Sequence, residues 1–292
     1  MKKLSPFLII LAACMWGVMG VFSKEMKNIG FSSIQTSAIR ITVTAAAMII
    51  FILIKDKSLL RFKINDIYLF ALNGFFSVFG MSTLYLYTIE NTSLSTASIL
   101  LYTSPIWVII MSAIFLHEKI TWQKLVAVIF AFIGCVFVSG IGGTGNIGFF
   151  FFLIGISSGI SYGLYSIIGS IALRKYNPYT LTAYSFIFAA IPSLMLALPS
   201  GIADVVIKSP NKAYAVLMII ATGIETAFLP FMLYTLGLKN VEPGKAAIMA
   251  SVEPMVATIT GFVVYGQKAS LFGIFFIMLA VLLVNNFGIK TK

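Results

Sequence analysis

Glu225 interrupts an apolar run, in Ala221-Thr222-Gly223-Ile224-Glu225-Thr226. At helical spacings of three and four, Thr222, Glu225 and Thr226 share one face, which reads as a polar stripe turned towards a cavity. A carboxyl group held in apolar surroundings resists ionisation. Such a group can take up and release a proton when water reaches it, or it can anchor a cationic group such as an amine. Arg40 stands in a second apolar run, on one stripe with Thr36 and Thr44. It can pair with an acid, bind an anionic group or snorkel outwards. Glu253 precedes Pro254, whose missing amide donor loosens a helix locally, and Pro105 occupies a similar apolar setting. Asn73, Ser77 and Gly80 make a further polar or small stripe. Trp16, Tyr85, Tyr102, Tyr162, Tyr165 and Tyr234 combine apolar bodies with polar tips that need partners,.

Other chemistries lack their parts. His117 is the one histidine, and Cys14 and Cys135 lie in apolar runs without ligand spacing, so neither a metal site nor a disulfide framework is expected,. Gly140-Ile141-Gly142-Gly143-Thr144-Gly145 is glycine-rich but lacks the Gly-Lys-Ser/Thr ending of a nucleotide-phosphate loop,. It reads as a connector, and no cofactor is expected. The basic residues, net charge +11, are scattered singly and in pairs rather than gathered on a face that would grip nucleic acid,. Leu11-Ala12-Ala13-Cys14 resembles a lipoprotein cleavage box, yet the apolar run continues unbroken through Phe22, so the segment reads as a first membrane helix,.

The elements that must position these residues are membrane helices. Of 292 residues 60% are hydrophobic and 10% charged, against roughly a quarter charged in a soluble domain, so lipid must act as solvent. About 20 apolar residues span the hydrocarbon. Ten runs qualify: 5–24, 33–54, 66–89, 94–116, 122–140, 147–173, 178–198, 213–237, 243–265 and 269–287. Their length excludes barrel strands. With the N-terminus inside, the inner segments hold Lys2, Lys3, Lys55, Lys57, Arg61, Lys63, Lys119, Lys124, Arg174, Lys175, Lys239, Lys245, Lys290 and Lys292. The outer ones hold Lys24, Lys27, Lys208, Lys212 and Lys268. Basic residues favour the cytoplasmic side, so both termini are expected in the cytoplasm and the protein in the cell (inner) membrane.

A shift of 149 residues aligns Gly74 with Gly223, Phe79 with Phe228, Tyr85 with Tyr234, Asn91 with Asn240, Pro105 with Pro254 and Lys119 with Lys268. A shift of 146 aligns Trp16-Gly17 with Tyr162-Gly163. The repeat also sets Asn73 opposite Thr222 and Ser77 opposite Thr226. Five helices per half is an odd number, so the second half enters the membrane from the opposite side. The expected fold is an all-α membrane protein, ten transmembrane helices as two inverted five-helix repeats (residues 1–140 and 147–288) around a central cavity.

The segment from Leu94 to Pro105, followed by Phe115-Leu116-His117-Glu118-Lys119-Ile120-Thr121, resembles the signature of the EamA branch of the drug/metabolite transporter superfamily. The second half repeats it from Gly237 to Ile248, then Val252-Glu253-Pro254, and Trp16-Gly17 also fits. Where the family ends its second copy with Gly-Glu, this chain has Gly266-Gln267. The resemblance implies a transporter, not an enzyme, moving small metabolites such as amino acids, with export favoured; the inverted repeat adds alternating access of the secondary-transporter kind, and Glu225 makes protons a candidate coupling ion. The expected cavity walls are Trp16, Asn73, Tyr85, Tyr162, Glu225 and Tyr234, with Arg40 and Glu253 as further binding candidates and Pro105 and Pro254 as helix kinks. The rival reading is a membrane-embedded enzyme or lipid-handling protein, which would need a nucleophile–base pair or a metal cluster.

Overall fold

The computed structural model describes residues 2–139, 148–267 and 270–286. The glycine-rich connector Gly140–Gly145 and Lys268 lie outside the described residues, which form helices and connections without strands. Among the described residues nine stretches are long and apolar enough to cross a membrane: α1 (Ser5–Ile29), α2 (Ser33–Lys55), α3 (Ile64–Asn91), α4 (Leu94–Leu116), α5 (Trp122–Ser139), α6 (Phe149–Ala172), α7 (Pro178–Ala197), α8 (Lys212–Leu238) and α9 (Pro243–Tyr265). A shorter apolar helix, α10 (Leu271–Asn286), follows. Each expected run thus has its helix. The segment between the expected runs 178–198 and 213–237 contains a further helix, Pro199–Lys208.

Caps set the helix starts. Ser32 and Gln35 close a capping box before α2, the Ser93 hydroxyl accepts from the Thr96 amide at the start of α4, and Asn177 caps α7. Each satisfies amides that a helix start leaves bare.

The two halves pack with their roles exchanged. In the first half α1 lies on α8 and α9, and in the second α6 lies on α3 and α4. Between the halves α2 packs on α7, α4 on α9 and α5 on α10. Local irregularities recur in the same register. Asn73–Phe79 in α3 and Ile224–Phe228 in α8 are wound as π-helix, the shift of 149 placing one over the other. Both α4 and α9 break, at Tyr102-Thr103 and at Ser251. Pro105 and Pro254 sit just beyond these breaks and cannot donate to the carbonyls of Leu101 and Ala250 four residues earlier. Both helices then stop on a left-handed residue, His117 (φ 56°) and Gly266 (φ 65°). There the Glu118 amide donates to the Ser112 carbonyl at 3.2 Å and the Gln267 amide to the Gly261 carbonyl at 3.2 Å, the left-handed stop that satisfies final carbonyls.

Cross-links define two ends of the bundle. At one, which carries the N-terminus, the Asn240 amide donates to the Ser5 hydroxyl at 3.0 Å and Lys175 pairs with Asp66 at 2.7 Å. At the opposite end Lys24 lies 3.7 Å from the centre of the Tyr265 ring. Glycines permit close crossings. A Cβ on Gly74 would meet the backbone of Ser185 in α7, and one on Gly223 would meet Val43 in α2. Small residues of this kind let membrane helices approach.

Candidate functional site

The breaks of α4 and α9 meet at mid-bundle. Glu253 lies just past the break in α9, about 15 Å along the helix from Pro243 at 1.5 Å per residue. Tyr162 of α6 donates its hydroxyl to one carboxylate oxygen at 2.8 Å, and Tyr102, at the break of α4, donates to the other at 3.3 Å. Glu253 is half-buried and has no ion-pair partner among the described residues. The cavity beside it, with Ser104, Pro105, Ser166 and Tyr234 also in its wall, has a volume of about 20 Å³, enough for about one water. A substrate needs the helices to part.

An aromatic cluster backs this cavity. The Trp16 ring lies 6.3 Å from that of Tyr162, 5.0 Å from Phe231 and 5.4 Å from Tyr234. Buried tyrosine tips need partners and have them: Tyr234 shares a hydrogen bond with Ser166 at 2.7 Å, and Tyr165 with Thr235 at 2.9 Å.

Arg40 reaches the same region from α2. Its Nε donates to the Thr226 hydroxyl at 2.8 Å and its Nη2 to the Thr226 carbonyl at 3.0 Å. That carbonyl is available because Pro230, four residues on, has no amide to give it. Two of the five guanidinium donors are used by Thr226. Arg40 and Glu253 interact electrostatically across the site without forming an ion pair within 4 Å.

The sequence candidates therefore separate. Trp16, Tyr162, Tyr234 and Glu253 come together with Tyr102, and Pro105 and Pro254 frame the two breaks. Tyr85 stands one step away, its hydroxyl hydrogen-bonded to Ser98 at 3.1 Å. Asn73 is turned from the cavity: it is fully buried and its amide donates to Ser185 of α7 at 2.9 Å, a bond that ties two helices. Thr222 and Thr226 are buried against α2. Glu225 lies in the π-helical turn of α8, half-buried, and is not in the wall of the Glu253 cavity. Among the described residues no group of acidic, histidine or cysteine side chains is arranged to hold a metal. The sequence reading missed Lys124, a buried lysine at the start of α5 that pairs with Glu118 and Glu242. A lysine just inside an apolar run, with acids in neighbouring connections, was the available signal.

The sequence pattern of the EamA-like transporter family matches residues 3–140 and 149–285, one copy on each half. The chain belongs to the EamA-like transporter family. Among EamA-like relatives, an "Uncharacterized transporter" of Archaeoglobus fulgidus is 26% identical over 267 residues, 90% of this chain and 88% of the relative. "Uncharacterized transporter YyaM" of Bacillus subtilis is 22% identical, covering 90% of this chain and 87% of the relative. The mouse protein "Solute carrier family 35 member G1" is 27% identical over 47% of this chain and 38% of its own length. A solved crystal structure superimposes with a TM-score of 0.80, covering 98% of this chain and 96% of that one at 18% identity, which shows the shared fold. The protein is thus a multi-pass membrane transporter of the EamA-like family.

Proposed function

We propose that this EamA-like protein is a secondary transporter of small zwitterionic metabolites, amino acids or close relatives of them, working by alternating access. The observation that carries the reading is the pair Glu253 and Arg40: opposite charges at mid-bundle that face a common region without a direct ion pair between them. Buried charges are costly unless paired, so a substrate bringing an ammonium to Glu253 and a carboxylate to Arg40 supplies what each lacks. The aromatic wall of Trp16, Tyr162 and Tyr234 offers the ammonium further cation–π attraction. Glu225, half-buried in the π-helical turn, is the candidate for proton exchange. Export is the direction implied by family resemblance, and the distribution of lysine and arginine supports an orientation with both termini in the cytoplasm and a location in the cell (inner) membrane.

The test is counterflow in proteoliposomes loaded with an amino-acid library. The reading expects accumulation of at least one labelled amino acid by the wild type. Glu253→Gln keeps the shape of the site but not its charge and should raise KM roughly tenfold or more, since a hydrogen bond to a charged group contributes about 1.5–3 kcal/mol. Unaltered KM in that variant would remove Glu253 from the binding site.

A further inference from the structure

We infer that Lys124 is the centre of an ion-pair latch that holds the N-terminal end of the bundle closed by tying the first repeat to the second. Its side chain is 6% exposed and reaches Glu118, in the α4–α5 connection, at 3.0 Å and Glu242, at the start of α9, also at 3.0 Å. Lys245 of α9 adds a contact to Glu242 at 3.5 Å. Lys124 and Glu118 belong to the first repeat, Glu242 and Lys245 to the second, and α4 and α9 pack together beneath them. Burial raises the Glu118 carboxyl above its ordinary value, with Lys124 working against that. For Glu242 burial acts in the same upward direction, but Lys124 and Lys245 more than offset it and the carboxyl is lowered.

The repeat supplies a control within the molecule. The shift of 149 carries Ser93 onto Glu242, Thr96 onto Lys245, Glu118 onto Gln267 and Lys124 onto Gly273. The equivalent four residues at the opposite end are therefore uncharged, and the ion pairs found among the described residues all lie at the N-terminal end.

A second asymmetry points the same way. Between α2, α3 and α7 at the opposite end lies a cavity of about 150 Å³, with Ile34, Ala38, Phe79, Ser193 and Leu196 in its wall. Aligning the caps Ser32 and Asn177, a shift of 145, pairs Ile34 with Tyr179, Ala38 with Ala183, Met48 with Ser193 and Phe51 with Leu196, while Phe79 pairs with Phe228. These partners form a packed cluster at the N-terminal end. There the Phe51 and Tyr179 rings lie 5.2 Å apart and Lys55 sits 4.1 Å from the Tyr179 ring centre, donating to its hydroxyl at 2.9 Å. One member of a symmetric pair of sites is open and the other filled. The molecule is in the state closed at its N-terminal end, and the charged latch biases it there.

The inference rests on the alternating-access reading but needs no substrate to test. Spin labels at Lys119→Cys and Lys239→Cys, in protein whose Cys14 and Cys135 are replaced by Ala, report the N-terminal end. Labels at Asn91→Cys and Gln267→Cys report the opposite end. All four native residues are exposed. In lipid nanodiscs, Lys124→Met and Glu242→Gln should each raise the population with a long N-terminal distance roughly tenfold, about 1.4 kcal/mol. The distance at the opposite end should shorten together with it. Glu242 is half exposed on its side chain, so its variant remains informative if loss of buried Lys124 prevents folding. Unchanged distances in Glu242→Gln, or widening at the N-terminal end with no closure at the other, overturns the latch. Failure of Glu253→Gln to alter KM would leave this result untouched.

Discussion

In the proposed site Glu253 depends on its neighbours. Tyr102 and Tyr162 satisfy its oxygens yet bring no positive charge, so the carboxylate remains available to a cation. Tyr162→Phe removes one of the two donors to the carboxylate, a hydrogen bond to a charged group that contributes about 1.5–3 kcal/mol, and is expected to raise KM roughly tenfold, measured beside Glu253→Gln in the same counterflow assay. Glu225 has a different expected signature. Glu225→Gln cannot titrate, so it should abolish gradient-driven accumulation while leaving counterflow intact, and loss of both together would assign it to binding instead. These two acids looked alike in the sequence, each an ionisable residue in an apolar run. What separates them is the α4 tyrosine and the α6 tyrosine, partners far away in sequence that no local pattern reveals. Asn73 illustrates the converse, since a stripe of polar residues serves equally to line a cavity or to join helices, and its amide donates to Ser185 of α7.

At the scale of the helix, irregular backbone does the positioning. The π-helical turns of α3 and α8 and the breaks of α4 and α9 fall in register across the repeat, and two of these features have a visible proline cause. Pro105 and Pro254 were legible as kinks for that reason. The π-helical turns were not, because no residue type demands them. Pro230 frees the Thr226 carbonyl for Arg40, so Pro230→Ala should return an amide donor to that carbonyl and loosen the guanidinium. The expected result is a KM change of about fivefold with expression and thermal midpoint retained. Gly74 and Gly223 hold α3 against α7 and α8 against α2. Gly74→Ala and Gly223→Ala should each destabilise the purified protein by about 1–3 kcal/mol, the usual cost of overpacking, seen as a lower thermal midpoint in detergent.

For the whole molecule, the count of helices, the repeat and the inverted second half could be read from apolar run lengths and the 149-residue shift, because membrane helices satisfy their own backbone and leave composition to define them. Which of two equivalent sites is open and which is filled could not be read, since that depends on how helices distant in sequence pack: Ile34 and Ser193 line a cavity at one end, whereas Tyr179 and Met48 close a cluster at the other. The uneven spread of lysine and arginine predicts that a cysteine at Ser209 is labelled from outside intact cells and one at Ser58 is not; labelling at Ser58 would invert the orientation. The central claim, that the mid-bundle site reads a positive and a negative charge in one small molecule, is met most directly by counterflow with matched compounds. For each amino acid that the wild type exchanges, the decarboxylated amine and the N-acetylated acid are offered at equal concentration. The account predicts exchange of the zwitterion alone, with the amine depending on Glu253 for what residual competition it shows. Equal exchange of the N-acetylated acid would contradict it.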